Sequence, residues 1–383
     1  MSSTTKKKNK PSLIIQHNTI DQKSNRVVES NTKSEKEKKQ DTSTSTTTTT
    51  DLSTTTTTTS TNIQQLQEAV IEETGEISSL SLFQKAYRYL GDWIYLTNFN
   101  FFCNLLRYGP IPKHIGVIMD GNRRFARKLH IETSEGHKLG FTKMLDLCQW
   151  GLALGVEIIS VYAFSIENFK RPKQEVEYLM DLANKKFEEM ISKTHKLQKM
   201  GIRIRVVGDL SYIPEKTKSI LARAVLATQH NTRALLNVCM SYTSHNEMLH
   251  SMNTISNAVK DNVLLPEDIN QELFEKCLYI PDDLDILVRT SGEYRLSDFM
   301  LWQTCFSGTN FLNVLWPDFS SFHFFYIIFL YQSNYQEIQK QRKKHLIDDN
   351  LKQEQIDRVK AFQNKLEQQH QEFLQEWANK HFD

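Results

Sequence analysis

The 383-residue sequence has no run of about 20 apolar residues, the length a helix needs to cross a bilayer, so no segment reads as a membrane span. Its five cysteines, Cys103, Cys148, Cys239, Cys277 and Cys305, include no Cys-x-x-Cys pair. That spacing disfavours a zinc site or a disulfide frame and suits reduced thiols. Net charge is only +2, which argues neither for nucleic acid nor for an acidic partner. Gly-x-x-x-x-Gly-Lys-Ser/Thr, Gly-x-Gly-x-x-Gly and Gly-x-Ser-x-Gly are all missing. A P-loop, a Rossmann cofactor site and a nucleophile elbow are therefore unsupported.

Residues 1–62 are rich in Lys, Ser, Thr and Asn and end in threonine runs. Such a composition buries too little apolar area to offset chain entropy, so a disordered low-complexity tail is expected over 1–75. No apolar stretch follows Met1, so no secretory signal is evident, and Asp21, Glu29, Glu35 and Glu37 weigh against a mitochondrial transit peptide. Residues 76–112 form an aromatic, amphipathic segment with Phe83, Trp93, Phe99, Phe101 and Phe102. It suits a helix lying on a membrane surface or one packed on its own domain. The remaining chain divides into a catalytic-sized unit, 113–335, and a charged helical extension, 336–383. In the extension, Ile356, Val359, Phe362, Leu366, Phe373 and Trp377 recur at helical spacing, and Asp348-Asp349-Asn350 suits a turn. That helix either packs on its own subunit or meets a partner. Residues 322–331 are too short for a span and continue the core helix after Trp316-Pro317.

Between these flanks, apolar β-branched runs at 115–119, 158–164, 202–207, 235–240 and 284–288 alternate with segments of helical period such as 174–194. Alternation of this kind predicts an α/β fold with a mostly parallel central sheet flanked by helices. In such sheets the chemistry lies beyond the carboxyl ends of the strands. Three of those ends carry related loops: Asp120-Gly121-Asn122-Arg123-Arg124, the 165–172 loop with Ser165, Glu167, Asn168, Phe169 and Arg171, and the 289–297 loop. Arginine's planar fork matches phosphate oxygens, and backbone N–H groups at a glycine turn add donors. Arginines converging on one carboxylate suggest a polyanion bound through a divalent cation, with Asp120 sharing Mg2+ with phosphate oxygens.

Each element has a plainer explanation. Asp-Gly is commonly a turn, Arg171-Pro172 can start a helix, Arg289 and Arg295 can be surface ion pairs, and His137 can sit on a helix surface. Their coincidence at three strand ends favours a binding site. The acidic stretch 282–285 precedes a strand, so it reads as a loop or cap and not as a diphosphate-binding helix.

Taken in order, 114–128, 163–172, 289–299, Leu301-Trp302-Gln303 and 315–319 resemble the successive blocks of the cis-prenyltransferases, most closely the eukaryotic dehydrodolichyl diphosphate synthase type. The resemblance implies repeated condensation of isopentenyl diphosphate onto an allylic diphosphate such as farnesyl diphosphate, with cis geometry. By that resemblance Asp120 binds Mg2+ and assists departure of the diphosphate. Gly121, Asn122, Arg123, Arg124 and His137 serve the allylic diphosphate, Arg171, Arg289, Arg295 and Ser297 serve isopentenyl diphosphate, and Phe125 and Leu296 join the substrate-binding set. Ser165, Glu167, Asn168 and Phe169 line the reacting centre, with Asn168 or the product diphosphate receiving the proton.

Three departures accompany it. Gly308 stands where bacterial homodimeric members have a metal-supporting glutamate, and Thr133 where a diphosphate-binding arginine is common. The Arg-x-Gly tail of self-sufficient members is missing, since no glycine follows Gly308. The resemblance therefore implies a catalytic subunit completed by a Nogo-B-receptor-like partner, peripheral on the cytosolic face of the endoplasmic reticulum and making the precursor of dolichol for protein glycosylation. The competing readings are a non-catalytic subunit of the same complex, which should have lost the strand-end polar set, and a phosphohydrolase using Asp120 as nucleophile. Product length is left open because it depends on the depth of an apolar tunnel.

Overall fold

The structure is a computed structural model and describes residues 95–192, 198–344 and 352–380. The expected tail over 1–75, the first part of the amphipathic segment and the 348–350 turn lie outside the described residues. Helix α1 (residues 95–106) leads into β1 (His114–Ile118), α2 (Asn122–Lys128), α3 (Thr133–Leu154), β2 (Ile158–Ser165) and α4 (Lys173–Ser192). There follow β3 (Ile202–Val207), α5 (Glu215–Thr228), β4 (Ala234–Tyr242), α6 (Ser244–Lys260), α7 (Gln271–Lys276), β5 (Ile286–Arg289), β6 (Gly308–Phe311), α8 (Ser321–Lys344) and α9 (Gln353–Ala378).

The six strands make one sheet in the order β3-β4-β2-β1-β5-β6, with every pair parallel. β1 reads His-Ile-Gly-Val-Ile and is buried at all five positions, as a strand covered on both faces should be. The five expected strands are present. β6 was not foreseen, because Gly308-Thr309-Asn310-Phe311 is a partly exposed edge strand without an apolar run. The 284–288 run begins pairing two residues later than its composition suggests, at Ile286. Asp285 is occupied instead in anchoring: its carboxylate accepts from the backbone N–H of Lys113 (2.6 Å) and His114 (3.1 Å) and pairs with Arg342 of α8 at 2.7 Å. The acidic stretch is thus a structural junction, as expected of a loop.

The expected helix in the 174–194 segment is α4, and α3 ends where Gly155 adopts φ 93°, a left-handed stop that glycine accommodates without strain. α8 buries Phe324, Phe325, Ile327, Ile328 and Tyr331. α1 packs on it through Phe99 against Phe325 (5.2 Å between ring centroids) and Phe102 against Phe322 (5.9 Å), while Phe101 and Leu105 are exposed. α9 uses its apolar face internally. Phe362 is buried with Ile255, Leu264 and Leu273, Leu374 joins the main core, and Lys218 of α5 lies over the Trp377 ring. Arg358 of α9 forks onto Asp268 at 2.9 and 2.6 Å, which holds that carboxyl below its usual range.

From β1 the chain passes to β2 on one side, and from β5 to β6 on the other. The crevice beyond the carboxyl ends of β1 and β5 is therefore the switch point at which such sheets bind ligands. Asp120 follows β1, and Arg289 ends β5.

Candidate active site

Arg289 reaches back across that crevice. Its Nη2 donates to Asp120 Oδ2 at 2.8 Å, and its Nη1 donates to Ser297 Oγ at 2.6 Å and to the Arg295 carbonyl. The Arg289 side chain is 4% exposed and that of Asp120 32%. A charge so deeply buried needs a partner, so the pair orients one carboxylate oxygen inward and leaves Oδ1 toward the open side, 3.8 Å from Arg124. Thr290 Oγ1 and the Trp316 N–H both donate to the Asp120 carbonyl, at 2.7 and 3.1 Å, fixing the main chain as well.

The turn after Asp120 depends on glycine. Gly121 has φ 112°, and a Cβ there would lie 3.2 Å from both Leu315 Cα and Ser291 Oγ. α2 starts immediately, with no capping side chain and no acid in its first turn, so its first N–H groups remain donors for an anion. Gly136 and Gly140, one turn apart on α3, let α2 approach. A Cβ at 136 would stand 2.5 Å from the Asn122 carbonyl oxygen, and one at 140 would overlap Asn122 Oδ1. Asn122 Oδ1 and His137 Nε2 are buried without a hydrogen-bond partner, an arrangement that calls for a ligand or water.

Around these groups is a polar cavity of about 330 Å3, lined by Met119, Asp120, Gly121, Asn122, Arg123, Arg124, Arg127, His137, Arg171, Glu293 and Arg295. Five arginines face two carboxylates, a balance suited to a polyanion. Glu293 accepts from Arg124 at 3.1 Å and from Arg295, and so holds two of them in place. Arg171 donates to Asn168 Oδ1 and to Glu175 Oε1, both at 3.0 Å. Burial, and then the neighbouring Arg123 charge, lower the Arg171 pKa, while Glu175 opposes the shift. Burial, reinforced by Arg171, pushes His137 down to about 4, so its imidazole is neutral near pH 7.

A second cavity, of about 130 Å3, shares Met119, Asn122 and His137 with the first and is otherwise almost wholly apolar. α3 contributes Phe141 and Met144, α4 contributes Leu179, Met180, Ala183, Phe187 and Met190, and β4 contributes Leu236, Val238 and Met240. A hydrophilic chamber thus adjoins a hydrophobic one at the end of β1.

Of the residues singled out in the sequence, Asp120, Gly121, Asn122, Arg123, Arg124, His137, Arg171 and Arg295 line the polar cavity. Arg289 is bonded to Asp120, and Ser297 to Arg289. Asn168 holds Arg171, and Phe169 packs edge-on against Phe164, which lines the apolar cavity. Ser165 caps the short 3-10 turn Ile166–Lys170, and Glu167 pairs with Lys170. Phe125 is buried in α2, and Leu296 packs in the second apolar cluster with Phe299 and Met300; neither lines either cavity. Sequence reasoning passed over Arg127 and Glu293. Arg127 lies one helical turn beyond Arg123, a spacing that signals a shared face. Glu293 gave no such signal, because its role depends on how its loop folds back. That loop has Ser291, Ser297, Asp298 and Met300 at positive φ, pinned by Ser291 N–H to the Val314 carbonyl (2.6 Å) and Ser244 N–H to the Asp298 carbonyl (2.8 Å).

A family model described as "Putative undecaprenyl diphosphate synthase" matches residues 118–339. The human dehydrodolichyl diphosphate synthase complex subunit DHDDS is 45% identical over 263 residues, covering 68% of this chain and 78% of the human protein. A dehydrodolichyl diphosphate synthase complex subunit of Schizosaccharomyces pombe is 46% identical over 233 residues, covering 60% of this chain and 88% of that protein. Among solved structures, lavandulyl diphosphate synthase from Lavandula x intermedia, in complex with dimethylallyl diphosphate, superposes with a TM-score of 0.55 at 27% identity. It covers 58% of this chain and 95% of the other.

Proposed function

The chain belongs to the cis-prenyltransferase family and is a prenyl-chain-elongating enzyme, and we propose that it condenses isopentenyl diphosphate repeatedly onto farnesyl diphosphate, with cis geometry, to give dehydrodolichyl diphosphate. The observation that carries this reading is the junction of an arginine-lined chamber with an apolar cavity at Asn122 and His137. A diphosphate head with a hydrocarbon tail has the same two-part chemistry.

Asn122, neutral His137, Arg123, Arg124 and the first N–H groups of α2 hold the allylic diphosphate, and its tail enters the apolar cavity. Arg171, Arg295 and the Arg289–Ser297 unit hold isopentenyl diphosphate on the other side. Asn168, bonded to Arg171, positions the reacting unit, and the proton lost from it passes to the product diphosphate, because an amide is a poor base. The residues present fit Mg2+. Asp120 Oδ1 is left over from the Arg289 pair, Glu293 lies in the same cavity, and among the described residues no cluster of three His, Cys, Asp or Glu competes. Such an ion needs only one or two carboxylates besides phosphate oxygens and water. When bound, Mg2+ supplies charge neutralisation of the departing diphosphate.

The human and fission-yeast relatives are described as complex subunits, which supports a second subunit here; we propose that it is Nogo-B-receptor-like. Dehydrodolichyl diphosphate is the precursor of dolichol for protein glycosylation, and the site of synthesis is the cytosolic face of the endoplasmic reticulum. No described helix is long and apolar enough to cross a membrane. Exposed Phe101 and Leu105 on α1 and Phe322, Tyr326 and Phe329 on α8 support peripheral contact with the bilayer that receives the product. The test is incorporation of labelled isopentenyl diphosphate with farnesyl diphosphate and Mg2+, with and without the co-expressed partner. Long cis-polyprenyl products that require the partner are expected. Robust long-chain synthesis by the chain alone would refute the need for the partner, and release of phosphate from monophosphates without elongation would refute the reaction.

A further inference from the structure

Tyr162 belongs to β2, which β1 separates from β5, yet its side chain reaches the loop that follows β5. Its hydroxyl donates to the Ser297 carbonyl at 3.2 Å and to the Tyr242 carbonyl at 3.1 Å, one proton shared between two acceptors. Its ring stacks on Phe299 at 4.5 Å between centroids, and Tyr242 meets both rings edge-on. One side chain thus ties the end of β4 to the 297–299 stretch.

The backbone around it is irregular at the same places. The register of β2 against β4 slips directly after Tyr162, first with Ala163 as an extra residue on β2 and then with Ser241 as one on β4. Bulges of this kind re-aim the side chains beside them and recur next to active sites. Ser241, Ser297 and Asp298 have φ of 51°, 50° and 60°, a conformation that a residue other than glycine keeps only where its surroundings fix it. Tyr162 supplies one of those fixing contacts. Asp298 supplies another, its carbonyl accepting from Ser244 N–H at 2.8 Å and its carboxylate from His245 N–H at 3.1 Å, both at the start of α6. Burial pushes the Tyr162 phenol above its ordinary range, so the hydroxyl stays a donor. Tyr162 lines neither cavity, and its route to the site is Ser297, whose Oγ accepts from Arg289 at 2.6 Å.

We propose that Tyr162, with Asp298 sharing the mooring, is a positioning residue that holds Ser297 and the Arg289 fork in place for isopentenyl diphosphate. Without the hydroxyl the 297–298 turn relaxes and Ser297 Oγ moves off Arg289, which keeps its bond to Asp120. The allylic side, built on α2 and α3, keeps its shape. The proposal rests on the division of the chamber between two substrates given above.

The test uses the full-length chain with its partner subunit, Mg2+, farnesyl diphosphate and labelled isopentenyl diphosphate, each substrate varied at saturation of the other. Tyr162→Phe keeps the ring and its stack and deletes only the hydroxyl. KM for isopentenyl diphosphate is expected to rise about fivefold, equivalent to about 1 kcal/mol, the net contribution of one hydrogen bond. KM for farnesyl diphosphate should stay within about twofold of the wild type. Asp298→Ala, which frees the same loop from α6, should give the same split and serves as the second probe if the phenylalanine variant folds poorly. In a Ser297→Ala background the Tyr162→Phe effect should vanish, because the group it positions is gone. An unchanged KM for isopentenyl diphosphate, equal rises for both substrates, or an effect that persists without the Ser297 hydroxyl overturns the positioning role while leaving the reaction standing. Absence of elongation by the wild type overturns the reaction reading and the positioning role with it.

Discussion

Asp120, just past β1, and Arg289, at the end of the adjacent parallel strand β5, meet at 2.8 Å, the arginine buried and the carboxylate one third exposed. The arginine also holds Ser297 and the Arg295 carbonyl. One buried cation thus ties the metal-side loop to the loop assigned to isopentenyl diphosphate, and a change at either residue should be felt at both.

Asp120→Ala removes the open carboxylate oxygen and the partner of a buried guanidinium together. Isopentenyl incorporation at saturating Mg2+ is expected to fall by at least ~100-fold. Asp120→Asn retains a hydrogen-bond acceptor for Arg289 but not the compensating charge, so it should melt below the wild type and above the Ala variant while losing comparable activity. Retained turnover in the Asn variant would remove Asp120 from the metal assignment.

Gly136→Ala places a methyl group against the Asn122 carbonyl oxygen, a backbone atom that cannot rotate away. Overpacking of this kind costs about 1–3 kcal/mol. The start of α2 should shift, raising KM for the allylic diphosphate roughly tenfold or more while KM for isopentenyl diphosphate changes less. Equal KM effects on both substrates would contradict the division of the chamber between them.

His114 is buried, its Nδ1 donating to the Asp283 carbonyl at 2.8 Å and its Nε2 accepting from Ser160 Oγ at 2.7 Å. Burial lowers its pKa to about 4 from an ordinary 6.5. The unfolded chain therefore takes up the proton first as pH falls. The stability contribution is full above about pH 6.5 and is lost between there and pH 4, by about 3 kcal/mol. Denaturant melts across that interval should show a shallower pH slope in His114→Gln than in the wild type, and identical slopes would rule the histidine out.

Phe362 fixes α9 to the cluster containing Leu264 and Leu273. Phe362→Ala should destabilise the protein by about 3 kcal/mol, as expected for a buried aromatic, and lower Tm measurably. A melting temperature equal to the wild type would mean that α9 is a detachable extension.

Much of the fold was legible because the relevant signals are local. Buried strands such as β1 and β2 show as apolar runs, and α4 shows its period in Leu179, Met180 and Phe187. β6 was not legible, since four residues at a sheet edge need no apolar pattern. The 336–383 boundary has no counterpart in a helix break, because α8 runs on to Lys344 and Arg342 anchors it to Asp285. In the site, Asp120 and the arginines stood out by residue type at strand ends. Glu293 and Tyr162 did not, because an acid in a loop and a tyrosine in a strand are ordinary until their neighbours are known.

By itself the sequence determined the alternation of strands and helices, the three polar loops at strand ends and the lack of any nucleotide or nucleophile motif, all properties of short segments. Tertiary structure decided which oxygen of Asp120 is left open, that Asn122 and His137 sit between a charged chamber and an apolar one, and that Tyr162 reaches Ser297 from β2. Those facts depend on residues up to 169 positions apart meeting within hydrogen-bond distance, as Asp120 and Arg289 do. No local pattern encodes such a meeting, because sheet order and helix packing create it.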